Sequence, residues 1–109
     1  MAPLSHQLLT AVRRLAAAPE DQYAYLQRLG TAPLLDELAL EFSDAFIVEE
    51  RFLDDAVRSV AAQLDWQLEE MSGAQHRDLW TVEALKVSEE WARVRKLAAE
   101  ILRRNDEVS

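Results

Sequence analysis

The chain contains no cysteine, and this absence excludes disulfide bonds, thiolate nucleophiles and thiolate-bound metal sites. Glycine and proline are scarce as well, with two and three residues among 109. They leave long uninterrupted stretches, which favours helices over a fold rich in turns. No apolar run approaches the roughly 20 residues that span a bilayer, so no membrane segment is predicted. The N-terminal stretch has no basic region ahead of an apolar core, so a secretory signal is not predicted.

Basic residues are outnumbered by acidic ones. The chain has twelve Lys and Arg and twenty Asp and Glu, which gives a net charge of −8. The imbalance is concentrated in residues 31–72, which hold eleven acidic and two basic residues. This acidity argues against direct binding of nucleic acid, since contacts to phosphate require cations. It leaves open a basic protein partner, a bound cation, or mimicry of a nucleic acid.

The length and composition predict one folded domain covering residues 1–109, because half of the residues are hydrophobic. Ten arginines against two lysines, with abundant alanine and leucine, are typical of proteins from GC-rich bacterial genomes. The lack of cysteine fits a reducing compartment. We therefore expect a small soluble bacterial protein of the cytoplasm.

Apolar periodicity predicts an all-α fold with no strands and with helices at about residues 4–17, 20–29, 33–71 and 78–104. One face of the first helix consists of Leu4, Leu8, Val12 and Leu15. Pro19 is placed either to end the first helix or to begin the short second helix in its first turn, and Gly30 is expected to end the second helix as a left-handed cap.

The third predicted helix is the longest, because no glycine or proline lies between Leu34 and Met71. Thr31 or Ala32 is its expected cap, with Pro33 in the first turn. On a helical wheel eight apolar residues stay within one arc of about 80°. They are Leu35, Leu38, Phe42, Phe46, Leu53, Val60, Leu64 and Met71. This coherence predicts one continuous helix of about 58 Å, which Gly73 would end.

The fourth predicted helix carries a heptad seam. Its members are Trp80, Ala84, Val87, Trp91, Val94, Ala98 and Ile101. We expect helices three and four to form a long antiparallel hairpin, with the two short N-terminal helices packed against it in a four-helix arrangement. Because the long helix outruns a compact domain, a second copy should cover the remainder as a homodimeric helical bundle. The alternative is a bend near its middle, for which Ser43 is the nearest candidate.

A second apolar stripe lies on the far side of the long helix, among the acidic residues. It consists of Val48, Phe52 and Trp66, and it is predicted to be an interface with a second chain. The alternative is that the first two helices of the same chain cover it. The apolar run from Ala45 to Val48 likewise predicts that the centre of the helix is covered on more than one side.

Three carboxylates at helical spacing, Glu37, Glu41 and Asp44, have no basic residue one turn away. They form either a solvated face, a contact for a basic partner, or a weak Mg²⁺ or Mn²⁺ site. The sequence EFSD at Glu41–Asp44 resembles the Glu-x-x-Asp half of the pattern in all-α nucleoside triphosphate pyrophosphatases of the MazG type. That resemblance implies magnesium-dependent nucleotide hydrolysis, although no Glu-x-x-Glu half precedes it.

Glu49 is the one acid inside the apolar arc, between Phe46 and Leu53. A buried carboxylate needs a partner or a proton. The candidate partners are Tyr23, Tyr25, Trp80, Trp91 and Arg95. We expect a buried structural pair that fixes the register of the packed helices.

Several chemistries are excluded by missing motifs. Neither His6 nor His76 follows a glutamate at the Glu-x-x-His spacing of di-iron bundles. The chain also has no glycine-rich phosphate loop and no nucleophile elbow. The sequence thus predicts a non-enzymatic adaptor or regulator whose acidic helix meets a basic partner, with no cofactor. The alternatives are a magnesium-dependent hydrolase using Glu37, Glu41 and Asp44, and an acidic mimic of nucleic acid.

Overall fold

The computed structural model describes residues 4–30 and 35–108. Those residues form six α-helices joined by short connections, with 3₁₀ helices at Glu50–Phe52 and Ala74–Leu79. The α-helices are α1 (His6–Ala16), α2 (Pro19–Leu29), α3 (Asp36–Glu49), α4 (Asp55–Glu70), α5 (Val82–Val87) and α6 (Glu89–Val108). No β-strand occurs in the two described ranges, which confirms the all-α class. None of the described helices combines the length and apolarity that a bilayer crossing requires.

Four of the helices, α1, α3, α4 and α6, surround the main core. Helix α6 packs against α1 and α4, α1 packs against α3, and α3 lies beside α4. The backbone N–H of Leu4 donates to Asn105 Oδ1 at 3.0 Å, and Arg104 Nη1 donates to the carbonyl of Ala56 at 2.8 Å. The end of α6 therefore lies beside the starts of both α1 and α4, so α6 is antiparallel to each. Helix α2 packs against α5, which in turn packs against α6.

The apolar faces predicted for the first and third helices form this core. All four residues of the first face and all eight of the arc are buried, with none more than 7% exposed. Aromatic packing supports the centre, where the rings of Phe42 and Phe46 stack with centroids 5.5 Å apart. Helical periodicity thus identified the inward side chains of these segments correctly.

The predicted continuous helix over 33–71 is wrong, because the chain turns a corner between α3 and α4. After the 3₁₀ turn, Leu53 and Asp54 adopt extended backbone, with ψ angles of 148° and 144°. Asp54 Oδ2 accepts from the backbone N–H of Ala56 at 3.0 Å. The carboxylate thereby caps α4 and satisfies one of the donors that an interrupted helix exposes, so neither glycine nor proline is needed. The expected start at Thr31 to Pro33 lies outside the described residues.

Apolar phase did not reveal this corner, because Phe46, Leu53 and Val60 follow one another at seven-residue steps and all three face the core. Ser43, the predicted site of a bend, lies inside α3. The folded chain measures 38 × 28 × 22 Å, with a radius of gyration of 13.4 Å. That radius is close to the value of about 13 Å expected for a compact domain of this length. A chain this compact needs no second copy to cover its length, and the homodimer stays a prediction.

The predicted helix over 78–104 is also divided. Helix α5 ends at Val87, and Ser88 has a ψ of 148°. Ser88 Oγ then accepts from the backbone N–H of Trp91 at 3.1 Å, which caps the start of α6. Val87, a predicted member of the heptad seam, is 73% exposed, whereas Trp91 and Val94 are fully enclosed. The heptad therefore does not run through the break at Ser88.

The two glycines differ in their backbone conformation. Gly73 has a φ of 110°, which side chains of L-residues rarely adopt, and a Cβ there would lie 3.0 Å from Gln75 Oε1. Gly73 thus allows the chain to leave α4, as the sequence indicated. Gly30 has a φ of 177°, which is extended backbone, so the left-handed cap predicted there is wrong.

An ion-pair cluster occupies the end of α6. Glu100 accepts from Arg103 Nε at 3.0 Å and from Arg104 Nε at 2.8 Å. The hydrogen bonds from Arg103 and then Arg104 lower the pKa of Glu100 from 4.5 to about 2. A lowered pKa in the folded state means that the stabilisation is complete above pH 4.5 and is lost as the pH falls toward 2.

We expect Glu100→Gln to reduce the acid sensitivity of the melting temperature. The difference in melting temperature between wild type and variant should be largest above pH 4.5 and should shrink as the pH approaches 2. Added salt should reduce it, because the pair is solvent-accessible. Circular dichroism melts across this range measure the difference, with Glu90→Gln as the control. A difference that does not change with pH would contradict the assignment.

Candidate functional site

The three carboxylates predicted as a metal site line one groove between α1 and α3. The groove has a volume of about 450 Å³, and its lining includes Glu37, Glu41, Asp44, His6 and Arg14. Within the described residues, no three histidine, aspartate or glutamate side chains are grouped so that they could hold a metal ion. The magnesium site stays a prediction, because the described residues do not bring three such ligands together.

Glu41 is engaged within the chain. Its Oε2 accepts from Arg14 Nη1 at 3.0 Å and from the hydroxyl of Tyr25, while its enclosed Oε1 has no hydrogen-bond partner among the described residues. The Arg14 guanidinium also stacks 3.9 Å from the centroid of the Tyr25 ring. Burial raises the pKa of Tyr25, and the hydrogen bond to Glu41 raises it further. A cation entering the groove would therefore have to compete with Arg14 for Glu41.

Glu49 is half-buried, and it has a partner that the sequence did not suggest. Its Oε2 accepts from Ser5 Oγ at 2.5 Å, and its Oε1 accepts from the Ser5 backbone N–H at 3.4 Å. Ser5 Oγ in turn accepts from the backbone N–H of Leu8 at 3.2 Å. Glu49 thus acts as the acidic member of a capping box on α1, although it comes from a different helix.

The five partners predicted for Glu49 are used elsewhere. The indole N–H of Trp80 donates to the carbonyl of Met71, and that of Trp91 donates to Leu79. Arg95 Nη1 donates to Gln22 Oε1 at 3.2 Å and to the carbonyl of Leu85 at 2.9 Å. Tyr25 bonds Glu41, and the ring of Tyr23 lies 5.4 Å from Lys86 Nζ. The five predicted partners are therefore wrong, and the pair expected to be buried is a half-buried contact with Ser5, because Glu49 lies in the last turn of α3, beside the start of α1.

The remaining acids make α3 and α4 a negatively charged surface. Residues 35–72 hold eleven acidic and two basic residues. Ser43 Oγ donates to Asp65 Oδ1 at 3.1 Å, and Arg58 pairs with Asp55. Six other acidic side chains form no hydrogen bond or ion pair with any described residue. These are Glu37, which is half-buried, and the exposed Asp36, Asp44, Glu50, Glu69 and Glu70.

Large apolar side chains are exposed beside these acids. The predicted interface residues Val48, Phe52 and Trp66 are 70%, 60% and 64% exposed. No described helix covers them, so the alternative in which the first two helices do so does not hold. Ile47 is 73% exposed, which corrects the expectation that the run from Ala45 to Val48 is covered on several sides.

Leu40, at 50% exposed, joins this set and was not singled out in the sequence. A wheel drawn for α3 alone would have placed it opposite Phe42, facing solvent.

No protein-family model matches this chain, and neither the curated proteins nor the solved structures give a significant match.

Proposed function

We propose that this protein is a non-enzymatic interaction module, an adaptor or regulator, in which α3, α4 and the turn between them bind a basic protein partner. We call this segment, residues 36–70, the α3–α4 hairpin. The observation that carries the proposal is the combination on one hairpin of unpaired carboxylates and exposed apolar side chains. Unpaired carboxylates steer a cationic partner and set its orientation. Large apolar side chains that become buried supply most of the binding free energy.

The same charge distribution disfavours a second copy as the occupant of this surface. Two copies joined through their hairpins would bring together two segments of eleven acidic and two basic residues each, in which six acidic side chains form no hydrogen bond or ion pair with a described residue. Like charges facing one another across an interface cost several kcal/mol. A basic partner instead gains from every carboxylate that the chain leaves unpaired.

A pair of charge-matched variants tests the proposal. The hairpin variant changes Asp44, Glu50, Glu69 and Glu70 to the corresponding amides. The control variant changes one aspartate and three glutamates that lie outside the hairpin and are also exposed: Asp78, Glu83, Glu89 and Glu90. Both variants raise the net charge by the same amount, so a difference between them reports position and not total charge.

The experiment identifies a captured partner from an extract, purifies it, and measures its affinity for the wild type and both variants. We expect the hairpin variant to bind at least about tenfold more weakly, since several charge pairs are lost. The control should stay within about twofold, and the wild-type affinity should fall with added salt. Equal affinities for both variants would contradict the proposal.

Two further arms separate the alternatives. Release of the partner by competing DNA would replace the proposal with mimicry of a nucleic acid. A thermal shift with Mg²⁺ or Mn²⁺ and nucleotides addresses the hydrolase, and we expect no stabilisation because Glu41 is already paired with Arg14. Stabilisation that Asp44→Asn abolishes would favour the hydrolase instead.

A further inference from the structure

Helices α3 and α4 form an antiparallel pair, and a side-chain hydrogen bond between them marks their relative register. Ser43 Oγ on α3 donates to Asp65 Oδ1 on α4 at 3.1 Å. A shallow groove of about 210 Å³ follows this seam, and its lining includes Ala39, Leu40 and Glu69. Because Ser43 lies opposite Asp65 and the helices run in opposite directions, Trp66 lies level with Phe42, and Ala62 lies level with Phe46.

This register brings exposed apolar residues together on the outer side of the pair. Leu40 and Ile47 lie three residues before and four residues after Ser43, so the three share one face of α3. Trp66 follows Asp65 and points away from the buried Leu64. Measured along the axis of α3, Trp66 therefore lies between Leu40 and Ile47.

We call Leu40, Ile47, Ala62 and Trp66 the outer face. All four are at least half exposed or fall in the exposed class.

The dimensions and charges of the outer face fit an amphipathic helix. Leu40 and Ile47 are separated by seven residues, which is about 10.5 Å along α3. A partner helix with apolar residues at i, i+3, i+4 and i+7 spans the same length. The unpaired carboxylates Asp44, Glu69 and Glu70 lie on the same two helices, within one turn of Leu40, Ile47 or Trp66.

We infer that the outer face is the docking site for an amphipathic helix of the partner, with apolar residues on one side and basic residues along its edges. The apolar side contacts Leu40, Ile47 and Trp66, and the basic residues pair with Asp44, Glu69 and Glu70. This inference rests on the proposed function and adds to it the location of the partner and its secondary structure. Charge complementarity selects this occupant over a second copy, which would bring a face with the same net negative charge.

The probe is a synthetic helical peptide with leucine at i, i+3, i+4 and i+7 and lysine along both edges, titrated into the full chain. Binding should shift the Trp66 emission to the blue, since Trp66 is 64% exposed whereas Trp91 is fully enclosed. Trp66→Phe should remove this signal while calorimetry still detects binding. A peptide with glutamate in place of lysine, and one with the leucines scrambled, should bind at least about tenfold more weakly.

Exposure-matched variants locate the site. Leu40→Ala with Ile47→Ala should weaken peptide binding about tenfold or more, because both anchors lose their contact area. The control is Leu29→Ala with Val87→Ala, since Leu29 matches Leu40 at 50% exposed and Val87 matches Ile47 at 73%. The control should bind within about twofold of wild type, and circular dichroism should show that both variants remain folded.

Three outcomes would overturn the inference in distinguishable ways. If the amide variant of Asp44, Glu69 and Glu70 weakens binding but the Leu40 and Ile47 variant does not, the outer face is wrong and the proposed function survives. If neither variant weakens binding, the outer-face inference and the proposed function are both wrong. If sedimentation shows a dimer that Leu40→Ala with Ile47→Ala dissociates, a second copy is the occupant.

Discussion

Replacing Trp91 with alanine is expected to lower the free energy of unfolding by about 3–5 kcal/mol. Trp91 is fully enclosed, and its ring meets the edge of Trp80 with centroids 5.3 Å apart. Its indole N–H also donates to the carbonyl of Leu79 at 2.5 Å, which ties the segment before α5 to the start of α6. The alanine would leave a cavity and an unpaired carbonyl. Urea denaturation followed by far-ultraviolet circular dichroism measures the change.

Trp66→Ala is the matched control for this prediction. Trp66 is 64% exposed, so its removal should change the free energy of unfolding by no more than about 0.5 kcal/mol. Trp91→Phe keeps most of the ring volume and should fall between the two, since it removes the hydrogen bond but opens a smaller cavity. Similar losses for Trp91→Ala and Trp66→Ala would mean that the packing around Trp91 does not stabilise the fold as described.

Gln22→Met is expected to lower the free energy of unfolding by about 1–3 kcal/mol, although it conserves volume. Gln22 is only 1% exposed. Its Nε2 donates to the carbonyls of Arg14 and Leu15 at 3.0 and 3.1 Å, at the end of α1, and its Oε1 accepts from Arg95 Nη1. Burial lowers the pKa of Arg95, so this guanidinium is costly to leave without partners. Methionine cannot make these hydrogen bonds, so the two carbonyls and Arg95 would stay enclosed without the partner that Gln22 provides.

Gln27→Met on the same helix serves as the comparison, because Gln27 is exposed and should tolerate the change within about 0.5 kcal/mol. Gln22→Glu adds information, since it keeps an acceptor for Arg95 but removes the donor to α1. Chemical denaturation of the three variants ranks them. Equal stability of the Gln22 and Gln27 methionine variants would show that water replaces the amide at no cost.

Local patterns predicted which side chains face inward. The helical spacing of Leu35, Leu38 and Phe42 identified the core side of α3. The same spacing continued through Leu53 to Val60. The sequence also placed Val48, Phe52 and Trp66 on the acidic side of the predicted helix, where they are exposed, and the interface predicted there stays a prediction. These results follow from helical geometry and composition, and both are properties of residues close together in the chain.

The sequence did not predict where the chain reverses direction, because inward-facing apolar residues can keep their helical spacing across a corner. Asp54 and Ser88 are both good N-caps, and each begins a helix here. In the sequence they also fit the interior of a long amphipathic helix, since a capping residue becomes a cap only where the preceding turn stops. Packing decides whether the residue caps a helix or lies inside one. Two short helices that fold back share one core, whereas a single long helix would leave much of its apolar face in water.

By itself, then, the sequence determined an all-helical chain, the inward faces of its helices and the acidity of its middle third. Only the tertiary structure decided that Glu49 caps α1 through Ser5, that Gln22 meets Arg95, and that Ser43 meets Asp65. The physical reason is distance along the chain. Periodicity and capping act over a few residues, whereas these contacts join positions that become neighbours only when separate helices pack.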